Sequence, residues 1–156
     1  MTVKNAHIKN AILEAALPSV PFEGWTKELL ENAAQECGYA KSMVHAVFPN
    51  AEHDAIVHFS HWADEKMMVI LSSLNPEAMR VQDRVREAVQ ARLNVLASHK
   101  EAERLAVAFW MRPLRKWKGA KLVWKTADKI WRWAGDTSSD YNHYTKRALL
   151  SGVITS

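Results

Sequence analysis

Between Trp131 and Arg147 the chain reads WRWAGDTSSDYNHYTKR, with four aromatic rings, two aspartates and a glycine in seventeen residues. A core segment is built mainly from Leu, Ile and Val, which leave no polar atoms to satisfy. This stretch has the composition of a partly exposed surface. Upstream of it, Trp124, Asp128, Trp131 and Gly135 stand at i, i+4, i+7 and i+11 and share one helical face. Two indoles flanking a carboxylate match a protein-binding surface, where Trp dominates the energy and charge sets the register. The competing account is packing alone: the tryptophans fill space, while Asp136, Ser138, Ser139, Asp140 and Asn142 form a turn that caps the next helix.

Other chemistries have less behind them. Asp54, His58, His61 and Glu65 are spaced four, three and four apart, so one helix face could offer a metal nitrogen and oxygen ligands. The same spacing describes an ordinary solvated face, which is the preferred reading, and no metal is expected. The chain has no Gly-rich phosphate loop and no nucleophile elbow. Its single cysteine, Cys37, lies in a glutamate-rich segment that raises a thiol pKa rather than activating the group. The expectation is a protein with no catalytic residue and no cofactor.

Two further stretches suggest lipid. Met67, Met68, Ile70, Leu71 and Leu74, the stripe Val81, Val85, Val89 and Leu93 with Leu96, and Leu105, Val107, Ala108 and Phe109 are apolar at helical spacing. Such stripes usually form core, but methionine adapts to irregular space, so a ligand cavity among these helices is expected. Arg80, Arg84, Arg86 and Arg92 read as lying off that stripe. From Arg112 to Lys129, Arg112, Arg115, Lys116, Lys118, Lys121, Lys125 and Lys129 alternate with Trp117 and Trp124. Cations interleaved with tryptophan suit the interface of an anionic bilayer, with single-stranded nucleic acid as the less favoured partner.

These residues must be positioned by helices. The five glycines and five prolines fall where helices should stop, and no alternating β-branched run occurs. Helices are expected over 3–17, 26–37, 41–48, 54–74, 77–98, 101–111, 119–134 and 142–153. The 156 residues are about one domain's worth, and a single cysteine excludes an internal disulfide and fits a reducing compartment. The N-terminal MTVKNAHIKN lacks a secretory h-region, and no stretch reaches membrane-span length, so a bacterial cytosolic protein is expected. The net charge of +4 suits an anionic partner, yet residues 22–48 carry two lysines against four glutamates. That segment has the rhythm of a helix-turn-helix, but it would repel phosphates, and its short helix over 41–48 offers Ser42 and His45 but no base-reading Arg, Asn or Gln. Nucleic acid is therefore not an expected partner.

The segment WTKELLENAAQECGYAKSMVHAVFP resembles the N-terminal module of tetracycline-repressor-like regulators. More specifically, the run Ala127-Asp128, Trp131, Ala134-Gly135-Asp136, Ser138, Asp140, Asn142, Tyr144-Thr145-Lys146-Arg147 resembles the signature of the ubiquinone biosynthesis accessory family, the ninth of the Coq proteins. AALPSVPFEGWT, Asp64-x-x-Met67 and the arginine-rich helix leading to LAVAFW agree with it, while His143 stands where family members carry Trp. The resemblance implies an all-α, tetracycline-repressor-like bundle in which a helix-turn-helix module over 1–50 does not bind DNA. Residues 51–156 would be a helical lipid-binding domain lacking the family's C-terminal amphipathic helix.

The resemblance also implies a non-catalytic accessory protein that presents an isoprenoid quinone intermediate to the demethoxyubiquinone hydroxylase. Trp131 would anchor the partner, with Trp124, Asp128, Asp136 and Tyr144 around it. Met67, Met68, Leu71, Leu74, Val85, Val89, Leu93, Leu105 and Phe109 would line the lipid site. A homodimer peripheral to the inner membrane, or to the mitochondrial matrix face in eukaryotic relatives, completes the implied picture. The alternative is a ligand-sensing transcription regulator of the same fold.

Overall fold

The structure, a computed structural model, describes the backbone of residues 3–135 and 141–155, and the side chains in those ranges apart from 141–145, 153 and 155. Nine α-helices and three short 3₁₀ turns occur among the described residues, with no strand. They are α1 (Val3–Ala16), α2 (Val20–Glu23), α3 (Lys27–Glu36), α4 (Ser42–Val47), α5 (Glu52–Leu71), α6 (Val81–Leu96), α7 (Lys100–Trp110), α8 (Lys116–Trp133) and α9 (Tyr141–Thr155). The fold class is all-α.

The chain divides into two compact units. One comprises residues 1–62 with 98–109, and the other residues 63–97 with 110–156. α5 contributes its first half to one unit and its second half to the other.

In the first unit the local signals act as the sequence suggests. Thr26 caps α3 by accepting the Leu29 N–H at 3.1 Å, which satisfies one of the donors left open at a helix start. Gly38, at φ +84°, ends the segment in the left-handed region, where a Cβ would be strained. Ile12, Leu13, Val20, Leu30, Val44, Phe48, Ile56 and Phe59 are fully buried here. Trp25 lies 5.3 Å from Phe59 between ring centroids and donates its indole N–H to the Ala102 carbonyl. The buried indole thus keeps its polar atom satisfied while its rings fill core.

The second unit has its core in Met67, Leu71, Ala88, Ala91, Ala127, Ile130 and Leu150, flanked by Met68, Leu74, Val85, Val89, Trp131, Trp133 and Ile154. α8 packs against both α6 and α9. The expected stripe on α6 is corrected here. Val81 and Leu93 are exposed, Leu93 at 55%, whereas Ala88, Ala91, Arg92 and Leu96 are the buried residues. Small residues face inward because α6 and α8 pack closely, and close approach selects for Ala over Val or Leu. Ile70, Val107 and Ala108 are likewise exposed rather than core. α6 also starts at Val81 rather than Glu77, since Asn75 caps a separate 3₁₀ turn over Pro76–Ala78.

Candidate functional site

α8 is long because Lys116 to Trp133 contains no proline and its one glycine, Gly119, is held against Trp110. The inward face is Leu122, Thr126, Ala127 and Ile130, while Trp124, Asp128 and Trp131 are half-buried along its flank. Gly135, at φ +90°, ends the helix, and the Arg84 guanidinium closes it. Arg84 donates Nη1–H to the Ala134 carbonyl at 2.7 Å and Nε–H to the Met79 carbonyl at 3.0 Å. A cation on the last carbonyls of a helix complements the negative end of its dipole.

Trp131 and Asp128 are both tied to α9. The Trp131 indole N–H donates to the Lys146 carbonyl at 3.1 Å, and the Lys146 ammonium sits 5.4 Å from the Trp131 ring centroid. Arg147, 1% exposed, donates Nε–H to Asp128 Oδ1 at 2.8 Å, while Arg132 reaches Asp128 Oδ2 at 2.7 Å. Burial pushes the Asp128 carboxyl pKa up, but the hydrogen bond from Arg147 and the charges of Arg132 and Arg147 outweigh it and leave the group below its usual range. Asp128 is therefore a carboxylate that joins two helices. Asp136 and the Tyr144 side chain lie outside the described residues.

One turn inward lies a polar cluster that sequence reasoning missed. Asp64, 1% exposed, accepts the Arg92 Nε–H at 3.1 Å and the Thr126 hydroxyl at 2.8 Å, with Lys129 Nζ at 3.5 Å. A buried carboxylate is tolerated only when charge and hydrogen bonds replace its water. Arg92, which lies off the expected apolar stripe of α6, is nevertheless buried. The only sequence signal for the cluster is Asp64 sitting among Trp62, Ala63, Met67 and Met68.

The expected lipid-site residues divide between the units. Met67 and Leu71 are fully buried, and Met68, Leu74, Val85 and Val89 are half-buried beside them. Leu93 is exposed, and Leu105 and Phe109 belong to the other unit, where Phe109 lies 6.1 Å from the His53 ring.

The face bearing Asp54, His58, His61 and Glu65 is not evenly solvated. Asp54 accepts the Asn50 backbone N–H at 2.9 Å and pairs with His53 Nδ1 at 3.0 Å. His58 is buried, with Nε2 2.7 Å from Asn10 Oδ1, and burial with nearby Lys9 and His61 lowers its pKa to about 4. Among the described residues no group of three His, Cys, Asp or Glu is placed to hold a metal ion. The Cys37 thiol is pushed up by burial and by the charge of Glu36, and its Sγ lies 3.3 Å from the Ala11 carbonyl.

Residues 117–156, which are α8 from its second residue together with α9, match the family model of COQ9. Likeness to curated relatives runs through almost the whole chain. It is 30% identical to the mitochondrial ubiquinone biosynthesis protein COQ9 of Rattus norvegicus and 31% identical to that of Homo sapiens, over 94% of this chain in both cases. It is 29% identical to the Schizosaccharomyces pombe protein over 99% of this chain. The chain belongs to the COQ9 family. It spans about half the length of the mammalian relatives, 49% of the rat protein and 48% of the human one, and 61% of the fission-yeast one. The COQ9 match is thus centred on the helix pair joined by Asp128–Arg147 and Trp131–Lys146.

Proposed function

We propose that this COQ9-family chain is a non-catalytic accessory protein of ubiquinone biosynthesis, which binds an isoprenoid quinone intermediate and presents it to the demethoxyubiquinone hydroxylase. The observation that carries this reading is the likeness over nearly the whole chain to proteins named for ubiquinone biosynthesis. The helix pair at 117–156 supports a partner-facing role for its flank, where Trp124, Asp128 and Trp131 are half-buried rather than sealed in core. Asp136 and Tyr144 remain partner-binding candidates of this reading. The apolar side chains Met68, Leu74, Val85 and Val89 are the lipid-facing candidates, with Met67 and Leu71 as the packed floor behind them. Moving an isoprenoid chain through water is costly in proportion to its exposed apolar area, so shielding it lowers a transfer barrier.

Organic extraction of freshly purified protein, followed by mass spectrometry, tests the reading. Recovery of an isoprenoid quinone in near-stoichiometric amount is the expected outcome. Extracts containing no isoprenoid or related lipid, from protein that also fails to retain the hydroxylase, would sink it.

A further inference from the structure

The connection between α7 and α8, together with the first turn of α8, carries two large apolar side chains in water. Leu114 is 97% exposed and Trp117 is 82% exposed, with Met111 exposed beside them. Scattered surface leucines need no explanation, but an exposed indole next to an almost fully exposed leucine at the tip of a turn does. Around them stand Arg112, Arg115, Lys116, Lys118, Lys121 and Lys125, and no acidic residue occurs from Met111 to Ala127. On α8, Trp117, Lys118, Lys121 and Lys125 fall within about a 100° arc, so indole and ammonium groups point the same way.

The tip is built rather than loose. Arg112 accepts the Arg115 N–H at 2.9 Å, closing a turn with Pro113 in its first central position, and Arg115 accepts the N–H groups of Lys118 and Gly119 at the start of α8. Gly119 is so near Trp110 that an added Cβ would stand 2.8 Å from the Trp110 Cβ, so the first turn of α8 packs tightly on that side chain. The first turn of α8 contains no acid, and Arg115 gives it no side-chain cap. Cations there oppose the positive end of the helix dipole, an arrangement that a sheet of negative charge would relieve.

We propose that this corner is a membrane-insertion wedge. Leu114 and Trp117 enter the interface of an anionic bilayer, while Arg112, Lys116, Lys118 and Lys121 lie against lipid phosphates. Tryptophan favours that boundary because its ring is amphipathic, and each nearby cation adds electrostatic attraction. No helix among the described residues is long and apolar enough to cross a membrane, so contact of this kind would be from one side. The proposal stands on the corner's own residues and holds or fails independently of the lipid cargo.

Sedimentation of the full chain with phosphatidylcholine vesicles, with and without phosphatidylglycerol, reads the wedge directly. The expected result is binding only to the anionic vesicles, weakened by K118E/K121E and lowered on the order of tenfold by L114D/W117D even at low salt. Circular dichroism checks that the variants remain folded, and L114D alone carries the test if Trp117→Asp loosens the corner. Three results would overturn the proposal: no pelleting with either vesicle, unchanged binding by L114D/W117D, or Trp117-dependent retention of a single-stranded oligonucleotide in place of vesicles.

Discussion

Arg147, buried on α9, donates its Nε–H to Asp128 Oδ1 on α8 across 2.8 Å. Nineteen residues separate them in sequence. The bond fixes the pairing of the two helices that make up the COQ9 match. Removing the carboxylate takes the Asp128 bond from a buried guanidinium, and removing the guanidinium takes from Asp128 its contact with α9. Arg147→Ala should cost on the order of 3 kcal/mol in denaturant unfolding, and Arg147→Met, which keeps the packing, clearly less. Equal losses for the two would show that packing, not the ion pair, joins the helices.

The Asp64 cluster makes a graded prediction. Thr126→Val removes one hydrogen bond and leaves the carboxylate with Arg92 and Lys129, so a loss of about 1–2 kcal/mol is expected. Asp64→Ala removes the carboxylate shared by Arg92, Thr126 and Lys129 and should cost about 3–5 kcal/mol. Melting curves that rank the two variants the other way round would contradict the assigned geometry.

His58 gives the first unit a pH dependence with a definite sign. Its folded pKa lies near 4, below the unfolded value of about 6.5. The unfolded chain therefore takes up more protons between those values, and stability falls as pH drops through the window. Between pH 7 and pH 5 the expected loss is about 2 kcal/mol. His58→Gln should flatten that slope; the Asn10, Lys9 and His61 surroundings are retained, so a persistent slope would point to another group.

Trp131 packs on the Met67–Ile130 core and donates to Lys146. Trp131→Ala should lower stability by about 2–3 kcal/mol, more than a purely partner-facing residue would. Trp131→Phe keeps most of the packing and loses the indole N–H, so it separates the two roles. If the Phe variant stays folded and loses the hydroxylase, the partner role is real; if it retains the partner, Trp131 is structural.

Gly119→Ala would drive a Cβ to 2.8 Å from the Trp110 Cβ. A loss of about 1–3 kcal/mol is expected from overpacking. An unchanged melting temperature would mean that the Trp110 side chain yields to the added methyl and that the contact is not tight.

Most helix boundaries were legible because they depend on local chemistry. Thr26 needs only the N–H groups three residues on, and Gly38 needs only its own missing Cβ. The all-α class followed from the apolar period, and the resemblance in the motif around Trp131 was readable as a string of residue types. Which face each helix buries was less legible. On α6 the large Val81 and Leu93 look inward by size, yet Ala88 and Ala91 are buried, because a closely approaching helix leaves room only for small side chains. Arg92 and Arg147 could not be placed at all from their own neighbourhoods. A guanidinium goes to water by default and becomes buried only when a carboxylate is brought to it, and Asp64 and Asp128 are brought there by the packing of one helix on another. The sequence by itself determined the helices, their caps and the family; the tertiary structure alone decided which charges are interior, since that depends on partners no local pattern contains.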